Sequence, residues 1–395
     1  MRNNISSTVN KLLPRFDNMH GEIAVSYGEN ILYHESFTYP DAPWTVSNNS
    51  QYLIGSITKQ FTAVALLKTL YDRQIALGMS NDAATLIKVV QNDLSKSVSS
   101  FLPAKHPIWC GSMPNWANIV TIHHLLTHTS GIKKKSETEF DETLEYSPGQ
   151  KFVYSNPNYV LIGNIISEIT HISLDRYFKD ILFDIAEMKN SYFPLTGTPK
   201  DLKEQSHFKN LALGFEYDLV PKQVSCTSAE EKISFEELNV AGGIVSTIED
   251  CIKWNNALYS GKITPQSLVE LMLVKYIPAI PIPAYYGLDK VWYGYGIEVY
   301  DEDNKICYQH SGGCPGYQSR LIYLPVSNIS IVHLSNSQKN LQSYNAEKKK
   351  IQNEFQCDDT AAEAIFNEKF PEYKPRFQNR IKIFDFANAL RALFL

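Results

Sequence analysis

Strand-like patterns lie near both ends of this 395-residue chain, and a long, mainly helical segment separates them. Residues 21–37 (GEIAVSYGENILYHESF) alternate apolar and polar side chains on both sides of a Gly-Glu-Asn turn, which is typical of a β-hairpin. Between residues 290 and 336, short aromatic and β-branched runs separated by turn residues indicate further strands. Strands from the two ends most economically form one antiparallel sheet, with the middle of the chain inserted beside it.

We therefore predict an α+β fold, in which an antiparallel sheet is flanked by helices and carries an inserted, mostly helical lobe. In this interpretation the chain (1–395) is one two-lobed domain, with a sheet lobe of 1–55 and 285–340 and a helical lobe of 56–284. Residues 345–395 are predicted to be a helical extension, whose apolar end FANALRALFL could dock onto the body or onto a partner.

A serine and a lysine three residues apart, in IGSITKQF (54–61), open a run with helical spacing of apolar residues over 56–72. At this spacing both side chains lie on one face of the helix, at the positive end of its dipole. The amine of Lys59 can then approach the hydroxyl of Ser56, and a desolvated lysine loses proton affinity, which suits it to base chemistry. The same hydroxyl could instead cap the helix, because serine is a preferred N-cap residue.

The Ser-x-x-Lys spacing is not specific by itself, because Ser130–Lys133 and Ser206–Lys209 have it too. Only the pair at 56 and 59 opens a long predicted helix. Two further stretches add to it: Tyr154-Ser155-Asn156 precedes a predicted helix at 158–170, and His310-Ser311-Gly312-Gly313 ends a predicted strand. Each stretch is weak alone, but their order and settings together favour a catalytic serine.

These three motifs resemble those of the penicillin-recognising serine hydrolases, in the branch of class C β-lactamases, DD-peptidases and esterases. That branch has Ser-x-x-Lys, Tyr-x-Asn and (Lys/His)-(Thr/Ser)-Gly in the same order. The likeness extends over about residues 20–338 and includes LLTHTSGI, YSPGQKFVYSN, AGGIVSTIEDCIKW, YGYGIEV and HSGGCPGYQSRLIYLP. It implies a β-lactamase/DD-peptidase-like fold.

The resemblance also implies a role for each motif residue. Ser56 would be the acylated nucleophile, Lys59 its partner in proton transfer, and Tyr154 the general base and acid. Backbone N–H groups of Ser56 and Gly313 would form an oxyanion hole. Substrate binding would fall to the remaining motif positions, which are Asn156, His310, Ser311, Gly312 and Gly313.

The third motif has a histidine where class C β-lactamases have lysine. An unperturbed histidine is largely neutral at pH 7, so His310 would hold a substrate carboxylate more weakly than lysine does. We therefore expect inefficient β-lactam hydrolysis, as in the DD-peptidases, D-aminopeptidases and esterases that His-Ser-Gly resembles.

The predicted function is a serine hydrolase that forms an acyl-enzyme on Ser56 and hydrolyses or transfers an ester or amide acyl group. Its substrate would be a small molecule or a peptide, and no cofactor is implied. The alternative is a catalytically slow or inactive scaffold that assembles as a homo-oligomer through the C-terminal extension.

Composition excludes some other classes of protein. The formal net charge of −5 and the pI of about 6.1 predict no nucleic-acid partner, because phosphate binding needs a clustered basic face. No stretch approaches the ~18 apolar residues of a membrane span. The N-terminus lacks the apolar core of a secretory signal, which predicts a cytoplasmic protein and leaves export by a signal-less route open.

The histidines in VTIHHLLTH (120–128) could be interpreted as metal ligands. His124 and His128 have the i, i+4 spacing of zinc ligands, and His123 is adjacent, but no HExxH arrangement is present. We therefore predict no metal site. The six cysteines are scattered without a CxxC pair and are interpreted as reduced structural thiols.

Overall fold

The computed structural model describes residues 20–38, 45–79, 82–136, 138–217, 226–229, 231–279, 291–302, 305–339 and 341–369. In these residues the strands are β1 (Gly21–Tyr27), β2 (Asn30–Phe37), β3 (Tyr52–Leu53), β4 (Ile132–Lys134), β5 (Phe140–Leu144), β6 (Phe215–Tyr217), β7 (Cys226–Ser228), β8 (Val245–Ser246), β9 (Ile277–Pro278), β10 (Trp292–Tyr293), β11 (Glu298–Glu302), β12 (Lys305–Cys314), β13 (Tyr317–Leu324), β14 (Ile329–Ser335) and β15 (Ser337–Lys339). The α-helices are α1 (Thr58–Ala76), α2 (Ala83–Leu94), α3 (Ile122–Leu126), α4 (Asn156–Thr170), α5 (Leu174–Phe178), α6 (Pro199–Lys203), α7 (Phe235–Gly242), α8 (Ile248–Tyr259), α9 (Gln266–Met272), α10 (Leu341–Phe355) and α11 (Asp359–Lys369).

One eight-stranded sheet combines strands from both ends of the chain, in the order β2-β1-β14-β13-β12-β11-β10-β9. Every pair in it is antiparallel, and β1 pairs with β14 from Glu22 opposite Leu334 to Tyr27 opposite Ile329. The predicted α+β class with an antiparallel sheet is confirmed. The outer strand β9 comes from the segment that the sequence placed in the helical lobe.

Helix α1 is the central helix of the molecule. The helical spacing of apolar residues predicted an amphipathic helix over 56–72, whereas α1 begins at Thr58, after a 3₁₀ turn at Gly55–Ile57, and is buried on all sides over its first ten residues. Helices α4 and α7 pack against it, and Trp254 of α8 stacks on Phe61 at a ring distance of 3.6 Å. Helix α8 in turn packs across β14 and β1. The helix that carries the candidate lysine is therefore fixed by the core.

The sheet meets this helix through a close approach of two backbones. Strand β12 runs past the 3₁₀ turn so closely that a Cβ atom on Gly312 would lie 2.0 Å from the carbonyl oxygen of Ile54. Gly55 has a φ of +52°, and a Cβ atom there would lie 2.7 Å from the nitrogen of Gly313. Ser319 of β13 donates a hydrogen bond to the same Ile54 carbonyl at 2.7 Å. Glycine is required at both contact points because no side chain fits.

The C-terminal extension is helical as far as the structure describes it, and α10 and α11 pack against each other. The apolar end FANALRALFL (386–395) lies outside the described residues. Within the described part of the chain, no helix combines the length and the apolar character that crossing a membrane requires.

Adjacent glycines of β12 allow a matched test of the close approach. Gly312→Ala should lower the free energy of unfolding by about 3 kcal/mol, because the added methyl group overpacks against a backbone carbonyl. Gly313→Ala should change it by less than about 1 kcal/mol, since nothing lies within 4 Å of a Cβ atom there. Urea unfolding of both variants checks this, and equal stability of the two would contradict the contact.

Candidate active site

Ser56 lies in the 3₁₀ turn that precedes α1, and its hydroxyl contacts the lysine of the motif. Lys59 Nζ donates to Ser56 Oγ at 3.0 Å. The N-cap positions of the 3₁₀ turn and of α1 are Ile54 and Ile57, so Ser56 is not the helix cap that the sequence allowed. Ser56 instead lines an open cleft.

Lys59 is fully buried, which is expensive for an ammonium group unless polar partners surround it. Besides the serine hydroxyl, Nζ donates to the carbonyl oxygen of Ala241 at 2.7 Å. The same nitrogen lies 4.9 Å from the ring centre of Tyr154 and 5.7 Å from that of Tyr159, within the range of cation–π interactions. The amine is thus held against Ser56 by several neighbours that carry no charge.

The other two Ser-x-x-Lys pairs have no such arrangement. Ser130 is buried and donates to Asn158 Oδ1 at 2.8 Å, while Lys133 is exposed. Ser206 and Lys209 are both exposed. Position at the start of the central helix therefore separates the three matches, as the sequence indicated.

The second motif lies where α4 begins. Ser155 occupies the N-cap position, and Asn156 is the first residue of α4 and lines the same cleft as Ser56. The ring of Tyr154 lies between the amine of Lys59 and the imidazole of His128, whose ring centre is 4.3 Å away. The structure therefore brings Ser56, Lys59, Tyr154 and Asn156 together, although they come from separate elements.

His310 lies at the site, but its imidazole is enclosed and uncharged. Its side chain is buried, its Nδ1 donates to the carbonyl oxygen of Ser311 at 2.6 Å, and its Nε2 accepts from the Tyr293 hydroxyl at 3.0 Å. Burial, reinforced by the nearby charge of Lys59, lowers the pKa of His310 to about 3. One role expected of His310 was to hold an anionic substrate by its charge. An enclosed and uncharged ring cannot do this.

The glycines of the third motif place backbone groups near the nucleophile. Gly312 packs on Ile54, and the nitrogen of Gly313 lies beside Gly55, the residue before Ser56. Gly313 is exposed and lines the cleft, whereas Ser311 is half-buried. An N–H group of β12 thus lies next to the N-terminal turn of the central helix, where an oxyanion could accept hydrogen bonds from both.

The cleft above Ser56 has a volume of about 540 Å³. Ser56, Asn156 and Gly313 line it together with Ala241 and Gly242. Its charged lining residues are Glu139, Lys232 and Glu237. The site can therefore admit a small molecule or a short peptide to the serine.

Three site residues were not singled out from the sequence, namely Ala241, Tyr159 and Tyr293. Their contacts with Lys59 and His310 connect residues that are far apart along the chain. Ala241 and Tyr293 do lie in two of the segments quoted for the resemblance, AGGIVSTIEDCIKW and YGYGIEV. Membership of those segments was the sequence signal that could have identified Ala241 and Tyr293.

The three histidines considered as metal ligands have separate partners. His123 Nδ1 contacts the Tyr295 hydroxyl at 2.8 Å, His124 Nδ1 accepts from the Thr121 N–H at 3.1 Å, and His128 Nδ1 accepts from the Ser155 N–H at 3.1 Å. Across the described ranges, no group of three or more His, Cys, Asp or Glu residues is arranged to hold a metal ion.

Comparison with protein families identifies the class to which this fold and site belong. Residues 18–354 match the family profile described as Beta-lactamase. Because the match covers well over half of the chain, the chain belongs to the Beta-lactamase family.

Curated relatives agree with this membership. The chain is 23% identical to penicillin-binding protein 4* of Bacillus subtilis (strain 168) over 352 residues, which cover 82% of this chain and 69% of that protein. It is 24% identical to protein flp of Staphylococcus aureus (strain MW2) over 326 residues, which cover 78% of this chain and 57% of that protein. The chain thus spans only part of the length of these relatives.

Solved structures share the fold. D-amino acid amidase from Ochrobactrum anthropi SV3 superposes with a TM-score of 0.64 at 20% identity, over 85% of this chain and 92% of the amidase. The octameric penicillin-binding protein homologue from Pyrococcus abyssi superposes with a TM-score of 0.61 at 23% identity, over 85% of this chain and 72% of the homologue. These neighbours share the fold, while the family match and the curated relatives support a serine hydrolase in general.

The buried neutral state of His310 predicts a loss of stability in acid. The folded pKa of about 3 lies below the ordinary value of 6.5, so the unfolded chain binds more protons between these two values and stability falls as the pH drops through that range. One such histidine contributes a slope of about 1.4 kcal/mol per pH unit. His310→Gln should reduce the pH dependence of the unfolding free energy between about pH 6 and 5 by that amount.

Urea unfolding at several pH values measures this slope. His207→Gln, at an exposed histidine, is the control and should leave the slope unchanged. An unaltered slope in His310→Gln would mean that His310 takes up a proton freely in the folded protein.

Proposed function

We propose that this chain is a serine hydrolase that forms an acyl-enzyme on Ser56 and releases the acyl group of an ester or amide. One observation carries the proposal: the fully buried amine of Lys59 lies 3.0 Å from the Ser56 hydroxyl at the foot of an open cleft. A lysine with a purely structural role would not have to contact the hydroxyl of a residue that lines a cleft. An activated nucleophile requires a neighbouring group that can manage its proton.

The first half-reaction follows from this placement. Ser56 Oγ bonds to the substrate carbonyl carbon while its proton passes to the Lys59–Tyr154 pair, which in the reactive state carries one proton fewer than an ammonium and a phenol together. The carbonyl oxygen becomes an oxyanion, for which the N–H groups of Ser56 and Gly313 are the proposed donors. The C–O or C–N bond then breaks, and the leaving group departs with the proton. This leaves an ester between the acyl group and Ser56.

The second half-reaction reverses these roles. Water attacks the carbonyl carbon of the acyl-enzyme, gives one proton to the same Lys59–Tyr154 pair, and the pair returns a proton to Ser56 Oγ as the ester bond breaks. Asn156 lines the cleft and is proposed to hold an amide group of the substrate. Another acceptor with a hydroxyl or an amine would give acyl transfer by the same route.

We further propose that the substrate is neutral or cationic near the scissile bond. Of the described residues that line the cleft, Lys232 is the one with a cationic side chain. Its Nζ lies 2.6 Å from Glu216 Oε2. Glu139 and Glu237 are exposed and contribute two carboxylates to the same lining. With His310 neutral, this charge distribution disfavours a substrate carboxylate and supports esters, amides or amine-bearing acyl groups over penicillins.

The nucleophile assignment is tested by covalent labelling. A fluorophosphonate should add to the wild-type protein at Ser56, and the Ser56→Ala variant should show no adduct by intact-mass spectrometry. Ser206→Ala is the matched control, because it removes the serine of an exposed Ser-x-x-Lys pair and should be labelled like the wild type. Adduct formation on Ser56→Ala would refute the assignment. A folded wild-type protein without an adduct would favour the slow or inactive scaffold, assembled as a homo-oligomer.

The charge preference is tested with a series of activated esters that differ only in the charge of the acyl group. The cationic ester should have a kcat/KM about tenfold above that of the anionic one, because the described residues of the cleft lining include two carboxylates and one cation, Lys232, which is paired with Glu216. Replacing Glu139 and Glu237 together by Gln should reduce this ratio about fivefold. Glu142→Gln, at an exposed carboxylate of β5 outside the cleft lining, should leave it unchanged. Faster turnover of the anionic ester would contradict the proposal.

A further inference from the structure

His128 holds the segment that carries Tyr154 at both of its ends. The carbonyl oxygen of His128 accepts from the Val153 N–H at 2.9 Å, and its Nδ1 accepts from the Ser155 N–H at 3.1 Å. Tyr154 lies between these two attachment points, with its ring centre 4.3 Å from that of the imidazole and the planes inclined by 37°. One residue thus restrains the backbone before and after Tyr154, and its ring as well.

The backbone of His128 is itself in an unfavourable conformation. His128 has a φ of 56°, in the left-handed region that non-glycine residues rarely adopt, and its side chain is fully buried. Such conformations persist only where the surroundings enforce them, and they concentrate at functional sites. Here the left-handed turn allows the carbonyl oxygen and Nδ1 of one residue to reach the same segment.

The imidazole serves as an acceptor because it stays neutral. Burial first, and then the charge of Lys59, lower the pKa of His128 well below its ordinary value. In a neutral ring that accepts at Nδ1, the proton lies on Nε2. The acceptor for the Ser155 N–H is therefore present throughout the neutral pH range.

The restrained segment also sets the start of α4. Ser155 is the N-cap residue, and Asn156, which lines the cleft, follows it directly. A shift of the Ser155 backbone would therefore move the phenol of Tyr154 relative to Lys59 and the amide of Asn156 relative to the substrate. Displacements of about 1 Å in such a site can cost about 10² in rate.

We propose that His128 is a positioning residue, which fixes Tyr154 for proton transfer at Ser56 through the hydrogen bond from the Ser155 N–H to Nδ1. The proposal rests on the acyl-enzyme function proposed above. His128 touches neither substrate nor nucleophile in this role, so its loss should lower the rate of acylation and leave substrate binding nearly unchanged.

Two substitutions separate the acceptor from the ring. His128→Asn keeps an acceptor near the position of Nδ1 and suits a left-handed backbone, but it lacks the ring. His128→Phe keeps a ring of similar size and lacks any acceptor. We expect His128→Asn to retain kcat for an activated ester within about threefold. His128→Phe should lose about 10² in kcat, with KM changed less than about threefold.

The control and the readouts exclude a general loss of structure. His124→Asn replaces a histidine four positions earlier, whose Nδ1 accepts from the Thr121 N–H, and should have wild-type kinetics. Each variant is assayed for kcat, KM and the rate of fluorophosphonate labelling, after its folding has been checked by urea unfolding. If His128→Phe does not fold, His128→Gln replaces it, because the glutamine oxygen lies nearer to the position of Nε2 and should give the same loss.

The outcomes separate this proposal from the one on which it rests. Wild-type labelling at Ser56 together with unchanged kcat in His128→Phe, or an equal loss in His128→Asn and His128→Phe, overturns the positioning role alone. A folded wild-type protein without labelling at Ser56 overturns the acyl-enzyme function and the role of His128 with it.

Discussion

The contact between β12 and the turn before α1 joins the sheet to the central helix, and the rest of the site depends on it. Gly312 lies against the Ile54 carbonyl, and Ser319 donates to the same oxygen. Two backbones can approach this closely only where side chains are missing. As a result, the Gly313 N–H and the Ser56 turn are held together by rigid elements, which is what a preorganised oxyanion site requires.

The proposed chemistry of the site depends on the contacts of the buried Lys59 amine. The partners described for Lys59 are a hydroxyl, a carbonyl oxygen and two aromatic rings. The nearby imidazoles of His128 and His310 have lowered pKa values and add no cation at neutral pH. The contact between Lys59 and Ser56 is the observation on which the proposed acyl-enzyme function rests.

Local patterns in the sequence predicted those parts of the fold and site that local geometry determines. Alternation identified the strands of 21–37, and the position of Ser56 ahead of a long helix separated it from Ser130 and Ser206. The enclosure of His310 was not predictable, because its partner Tyr293 comes from β10 and the fold alone decides its burial. For the same reason His128 was considered only as a zinc ligand. Its partners lie about 25 residues away, in a segment that no local pattern connects to it.

The strand order also determines when this molecule can complete its fold. Strand β1 has β14 as its inner neighbour, with Glu22 opposite Leu334, so the ribosome must extend the chain from β1 through β14 before that edge of the β1–β2 hairpin is covered. Pairings across so many residues close slowly, and an uncovered strand edge invites association with other nascent chains. We therefore expect the yield of active protein in cells to be limited by protection of this hairpin during synthesis.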